Sequence, residues 1–146
     1  MLDKPIRRVM TSGAALFATP DTPVNEAVSA MVRGKASALL VVEGERLAGI
    51  FTEHDVLARV IAAGRDVHTT RLSEVMTRDP VVVGPDEAFG RALARMQQHH
   101  VRHLPVVENG APVGLVSARD ALDPDLEEFE VETIRRREYA RDPARC

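Results

Sequence analysis

Two short constellations in this chain set a hydroxyl three residues ahead of a carboxylate: Thr52-Glu53-His54-Asp55 and Ser117-Ala118-Arg119-Asp120. An ionised carboxylate only accepts hydrogen bonds, through two oxygens, whereas a hydroxyl both donates and accepts. Two chemistries are open at this spacing. In a helix-capping box the hydroxyl takes the N–H of the third helical residue, and the acid reaches back to the cap's own N–H. The second chemistry is ligand binding. Gly49-Ile50-Phe51 and Gly114-Leu115-Val116 precede the hydroxyls, so each motif ends a buried strand and opens a helix. The first N–H groups of such a helix point beyond the strand in an anion-binding geometry, and the glycine leaves room. Between hydroxyl and acid, the first motif carries Glu53-His54 and the second Ala118-Arg119. The second therefore offers a permanent cation where the first offers an anion.

The motifs belong to a duplication. Position 49 returns at 114, an offset of 65 that also aligns Pro20-Asp21 with Pro85-Asp86, Met31 with Met96, and Val41-Val42-Glu43 with Val106-Val107-Glu108. Val9-Met10-Thr11 returns as Val75-Met76-Thr77 at an offset of 66, so the first copy holds one extra residue between Ser12 and Thr19. Residues 1–68 form a first unit and 69–122 a second, with 123–146 as a C-terminal helical extension. Each unit is too small to bury an adequate core alone, so the two share one globule.

The elements that must position the motifs follow from periodicity. Ala14 to Ala18 and Val81 to Val83 read as short strands. Thr22-Pro23 reads as a helix cap and first helical residue, followed by an apolar face of Val24, Ala27, Val28, Met31 and Val32. The second unit repeats the face with Phe89, Ala92, Leu93 and Met96, capped near Asp86. Two hairpins come next, around Glu43-Gly44-Glu45-Arg46 and around Asn109-Gly110, the latter supplying the positive φ angles of a tight turn. Pro105 cannot donate to a ladder and belongs at an edge or a strand end. After Thr52, Val56, Leu57, Val60 and Ile61 mark a helix face. The matching second helix is cut short at Asp123-Pro124, where a polarised helix begins, acidic in its first half and carrying Arg135-Arg136-Arg137 in its second.

Composition narrows the function. A net charge of -3 over 146 residues gives no bulk attraction to nucleic acid or anionic membrane. No run approaches the roughly 18 apolar residues of a spanning helix, and Met1 to Pro5 lacks the apolar core of a signal peptide, so residence in the cytoplasm is expected. Cys146 is the single cysteine, which excludes an intrachain disulfide. His54, His99, His100 and His103 fall near the motifs, but with no companion cysteine and no H-E-x-x-H pattern no metal is expected. No P-loop, G-x-G-x-x-G or Ser/His/Asp order is present, and paired acids 65 residues apart are explained by duplication, so an enzyme is not expected.

In this order of segments the chain resembles a tandem CBS (cystathionine-β-synthase) domain module over roughly residues 8 to 122. Both copies carry the family's V-M-T-like opening, amphipathic helix, strand such as H-L-P-V-V, short turn, and G-h-h-T/S-x-x-D at a helix start. The resemblance implies an α+β fold of two β-α-β-β-α units packed as a pseudo-twofold pair, a homodimer, and a regulatory module binding adenosine-containing ligands. Such ligands are AMP, ADP, ATP, S-adenosylmethionine or NADH, acting as effectors rather than required cofactors. Carried over by position, Asp55 and Asp120 would accept from ribose hydroxyls, and Thr52 and Ser117 would bond a phosphate or ribose oxygen. Adenine would lie by Ser37-Ala38 and Val101-Arg102-His103, walled by Ile50 and Leu115. One cleft would join Thr52, Asp55 and His54 to Val101–His103. The other would join Ser117, Arg119 and Asp120 to Ser37-Ala38 and to Thr11-Ser12-Gly13, with tighter nucleotide binding there. A partner enzyme or transporter would read the occupancy. A dimerisation scaffold that binds no ligand is the competing class.

Overall fold

The duplication writes the same elements twice, but the segment that leads into each unit packs on the other one. A computed structural model describes residues 2–10 and 15–121. In chain order it holds β1 (Phe17–Ala18), α1 (Val24–Arg33), β2 (Ala38–Glu43), β3 (Arg46–Thr52), α2 (Glu53–Asp55), α3 (Leu72–Val75), β4 (Thr77–Arg78), α4 (Phe89–His99), β5 (His103–Glu108) and β6 (Ala111–Ser117). Single 3₁₀ turns occupy Ile6–Arg8 and Ala118–Ala121. The architecture is α+β, with one sheet ordered β1-β2-β3-β4 and a second formed by β5 and β6. The expected C-terminal helix and Cys146 lie outside the described residues.

Both hairpins carry the same irregularity. The register slips between Val41 and Val42 opposite Ala48, and between Val106 and Val107 opposite Val113, one bulge per unit at equivalent places. Asn109 and Gly110 both have positive φ, as a tight hairpin turn requires.

The lead-in segments are exchanged. Ile6 N–H donates to Glu87 O and Arg7 N–H to Pro85 O; at the duplicated positions Leu72 N–H donates to Thr22 O and Ser73 N–H to Pro20 O. Ile6, with no exposed surface, joins the core of Phe89, Met96 and Leu104, while Leu72 and Val75 join the core of Val24, Met31 and Phe51.

This exchange corrects the expected helix caps. The residue at the α1 N-cap is Pro23, and neither it nor Ala88 before α4 makes a side-chain cap. Thr22 Oγ1 turns back to Thr19 N–H, and Asp86 pairs with Arg7. Backbone carbonyls of the lead-in segments fill the orphan donors instead: Val24 N–H reaches Thr70 O, and Phe89 N–H reaches Lys4 O. Of the expected apolar faces, Val24, Ala27, Met31 and Val60 are buried, but Val32, Leu57 and Ile61 are exposed. The chain after α2 closes π-type turns over Val56–Ile61, with Ala62 N–H bonded five residues back to Leu57 O.

The second unit's expected strand at 81–83 is reduced to one parallel bridge, Val83 with Val106. Pro105 explains it. In the first unit Leu40 N–H donates to Leu16 O across the β1–β2 pair. Pro105, at the matching position, accepts from Val83 N–H but has no N–H to return.

Candidate functional site

Thr52 ends β3 in an extended conformation and opens α2, so its side chain faces its own helix. Its Oγ1 accepts Asp55 N–H at 3.3 Å, and Thr52 N–H donates to Asp55 Oδ2 at 3.0 Å, a complete capping box. In the second motif Ser117 N–H donates to Asp120 Oδ2 at 2.7 Å, while Ser117 Oγ accepts Arg119 N–H at 3.0 Å. The acids differ in depth. Asp55 is 4% exposed, and Asp120 is half-buried.

The expected anion geometry at the helix starts is largely used up by the chain. Glu53 N–H donates to Ser37 O, and Ala118 N–H donates to Arg102 O at the equivalent place. Nor does Gly49 leave room for a ligand. A Cβ there would lie 2.6 Å from Thr77 O and 2.9 Å from Met76 Sδ, so the glycine is needed where β4 crosses β3.

The turns ahead of the hairpins meet at the junction of the units. Ala38 pairs with Thr52 and His103 with Ser117 in their ladders, so each turn lies beside its own motif. Across the junction Ser37 Oγ and His103 Nε2 are 2.8 Å apart. Ala38, Leu40 and Ile50 form a small buried cluster with Leu47 and Leu115 packed against it, so the two expected walls share one apolar patch. Burial pushes the His103 imidazole below its ordinary pKa; Glu53 opposes this, and Arg119 and Arg102 add to it. Glu53, Arg102 and Arg119 therefore face His103 from both units.

His54, Arg102 and Arg119 are exposed, and Val101 is exposed just past the left-handed His100 that ends α4. Thr11 and Gly13 lie outside the described residues. Sequence reasoning missed Arg59, whose Nε is 3.5 Å from Asp55 Oδ1. The i,i+4 spacing of acid and base was the available signal. A depression of about 570 Å³ between β1 and α1, lined by Phe17, Thr19, Asn25 and Arg33 among others, contains none of the candidate residues. Among the described residues no helix is long and apolar enough to cross a membrane, and no three His, Cys, Asp or Glu side chains group to hold a metal.

A family model described as CBS domain matches residues 6–62 and again 72–126. The CBS domain-containing protein YhcV of Bacillus subtilis is 35% identical over 115 residues, covering 79% of this chain and 81% of its own. The mitochondrial CBS domain-containing protein CBSX3 of Arabidopsis thaliana is 33% identical over 132 residues, covering 87% of this chain and 64% of its own. The chain spans less than two thirds of that relative, and 22% of the Arabidopsis protein CBSCBSPB1. Among solved structures, an uncharacterised conserved protein from Pyrococcus horikoshii superposes with a TM-score of 0.79 at 28% identity, covering 86% of this chain and 94% of that one. The CBS domain pair of protein MJ0100, solved with 5'-methylthioadenosine and S-adenosyl-L-methionine, superposes with a TM-score of 0.74 at 22% identity, covering 81% and 96%.

Proposed function

This chain belongs to the CBS domain family, with two units in tandem, and from that premise we propose that it is a regulatory module whose adenosine-containing ligand binds at the junction of the units. The observation that carries the reading is the convergence of Ser37, His103, Ile50 and Leu115 from both units, flanked by the two hydroxyl–acid motifs. Adenine would pack on the Ile50/Leu115 patch. Asp120 would accept from the ribose, and Ser117 would bond a phosphate or ribose oxygen. Arg119 and Arg102 supply cationic charge on the second unit's side, where the first motif offers Glu53. A phosphate-bearing ligand is therefore expected to favour the Ser117/Asp120 cleft.

The ligand biases the module between two arrangements only through different affinity for each, and a partner enzyme or transporter in the cytoplasm reads the result. Homodimer formation belongs to the same proposal. Leu57 and Ile61, 65% and 60% exposed on one side of the helix after Thr52, offer an apolar contact surface. The same residues favour a second reading, a scaffold that associates without ligand.

Thermal denaturation with AMP, ADP, ATP, S-adenosylmethionine and NADH separates the two. At least one is expected to raise the melting temperature, since a ligand at about 100 times its Kd adds about 2.7 kcal/mol, and Asp120→Asn is expected to reduce the response. No response to any of the five at millimolar concentration leaves the scaffold.

A further inference from the structure

The motif around Asp55 makes one contact that neither the duplication nor ribose binding calls for. Arg59 sits one helical turn beyond Asp55, with Nε 3.5 Å from Oδ1. Its Nη1 donates to Met76 O at 2.8 Å and to Val75 O at 3.4 Å. Those carbonyls close the C-terminal end of α3, where no helical N–H can fill them. Asp55 Oδ2 takes Thr52 N–H at 3.0 Å and lies 3.2 Å from Thr52 Oγ1. Both oxygens of the carboxylate are thus engaged, and the side chain is 6% exposed beneath an arginine that is 49% exposed. A ribose diol needs acceptor oxygens turned toward the ligand, and here Arg59 engages Oδ1 while Thr52 engages Oδ2. The matching position in the second unit is Pro124, which has no side-chain donor, so the duplication did not write this contact twice.

We propose that the Asp55–Arg59 pair is an autoinhibitory clasp. It withholds Asp55 from the first cleft and ties the helix after Thr52 to the segment ahead of β4. An adenosyl ligand enters that cleft only by displacing Arg59, which releases the Val75 and Met76 carbonyls at the connection between the units. Occupancy of the first cleft and opening of the clasp are then linked, each weakening the other's competitor. The proposal rests on the reading of the clefts as adenosine sites.

Calorimetry with adenosine on the full chain in an Asp120→Asn background reads the first cleft. Arg59→Met is expected to tighten binding roughly fivefold, the scale of an exchanged, partly exposed ion pair. Adding Asp55→Asn is expected to cancel that gain. Arg59→Lys, which keeps the charge but loses the guanidinium fork, is expected to tighten binding less. A residue that only stabilised the fold would not improve affinity when removed, so unchanged or weaker binding in folded Arg59→Met and Arg59→Lys overturns the proposal. The clasp has a ligand-free readout as well. In a thermal double-mutant cycle Asp55→Asn and Arg59→Met are expected to be non-additive, and additive losses overturn the clasp. No adenosine binding by the wild-type chain or any variant overturns the proposed function and the inhibitory role with it, while the cycle still decides the contact.

Discussion

In the first unit Thr19 N–H reaches Thr22 Oγ1 at 3.2 Å; at the equivalent place in the second, Gly84 N–H reaches Glu87 Oε2 at 2.6 Å. The loop shape is the same, but a hydroxyl closes one and a carboxylate the other. The carboxylate recruits more. Arg95 makes two hydrogen bonds to it, at 2.9 and 3.1 Å, and Arg95 Nη1 also donates to Val82 O. Gly84 N–H is the main cause holding the Glu87 carboxyl below its ordinary pKa, against burial and with help from Arg95 and Arg91. The edges show the converse. The first unit pairs β1 with β2, whereas Pro105 leaves the second a single bridge. The charged loop thus holds in place a segment that the ladder holds less well. Duplication preserved the backbone plan, and side-chain drift decided how each copy is fastened and that Asp55 lies buried beside Arg59.

The exchanged lead-in segments give the strongest way to break this comparison. Leu72→Ala and Ile6→Ala each empty a site with no exposed surface and are expected to cost about 3 kcal/mol apiece in urea denaturation. A loss at Leu72 several times that at Ile6 would show that the two halves of the exchange are not equivalent. A smaller effect sharpens the loop contrast. Glu87→Ala is expected to cost about 2 kcal/mol and Thr22→Ala about 1, since bonds to charged groups are the stronger. Equal losses would erase the distinction.

The smallest effect is a titration. His103 has a depressed folded-state pKa, so the unfolded chain binds more protons in the window just below 6.5. Its contribution is therefore fully present above about 6.5 and is lost as the pH falls from there through the depressed value. Ser37, across the junction, has no counterpart titration. Proton NMR of the imidazole is expected to give a midpoint below 6.5, moving up in Arg119→Ala and down in Glu53→Gln. A midpoint unmoved by both would place those charges out of reach of the junction.

Much of the fold was legible because its signals are local. The hairpin at Asn109-Gly110, the buried stripe of Phe89, Ala92 and Met96, and the Thr52/Asp55 capping box each depend on residues within a few positions of one another. The candidate site was legible as a set of residue types. It was not legible as a surface, because the carbonyls that take the Glu53 and Ala118 N–H groups come from the turn ahead of each hairpin. The helix caps misread at Thr22 and Asp86 fail for the same reason, since the donors they would have filled are taken by Thr70 and Lys4 from far along the chain.

By itself the sequence determined the duplication, the order of elements and the pairing of hydroxyl with acid, all of which follow from spacing and turn chemistry. Only the tertiary structure decided which core each lead-in segment joins, that Gly49 makes room for β4, and that Asp55 lies buried under Arg59. Those outcomes depend on what the chain brings next to a residue from a distance, and long-range neighbours leave no periodic trace in the sequence around it.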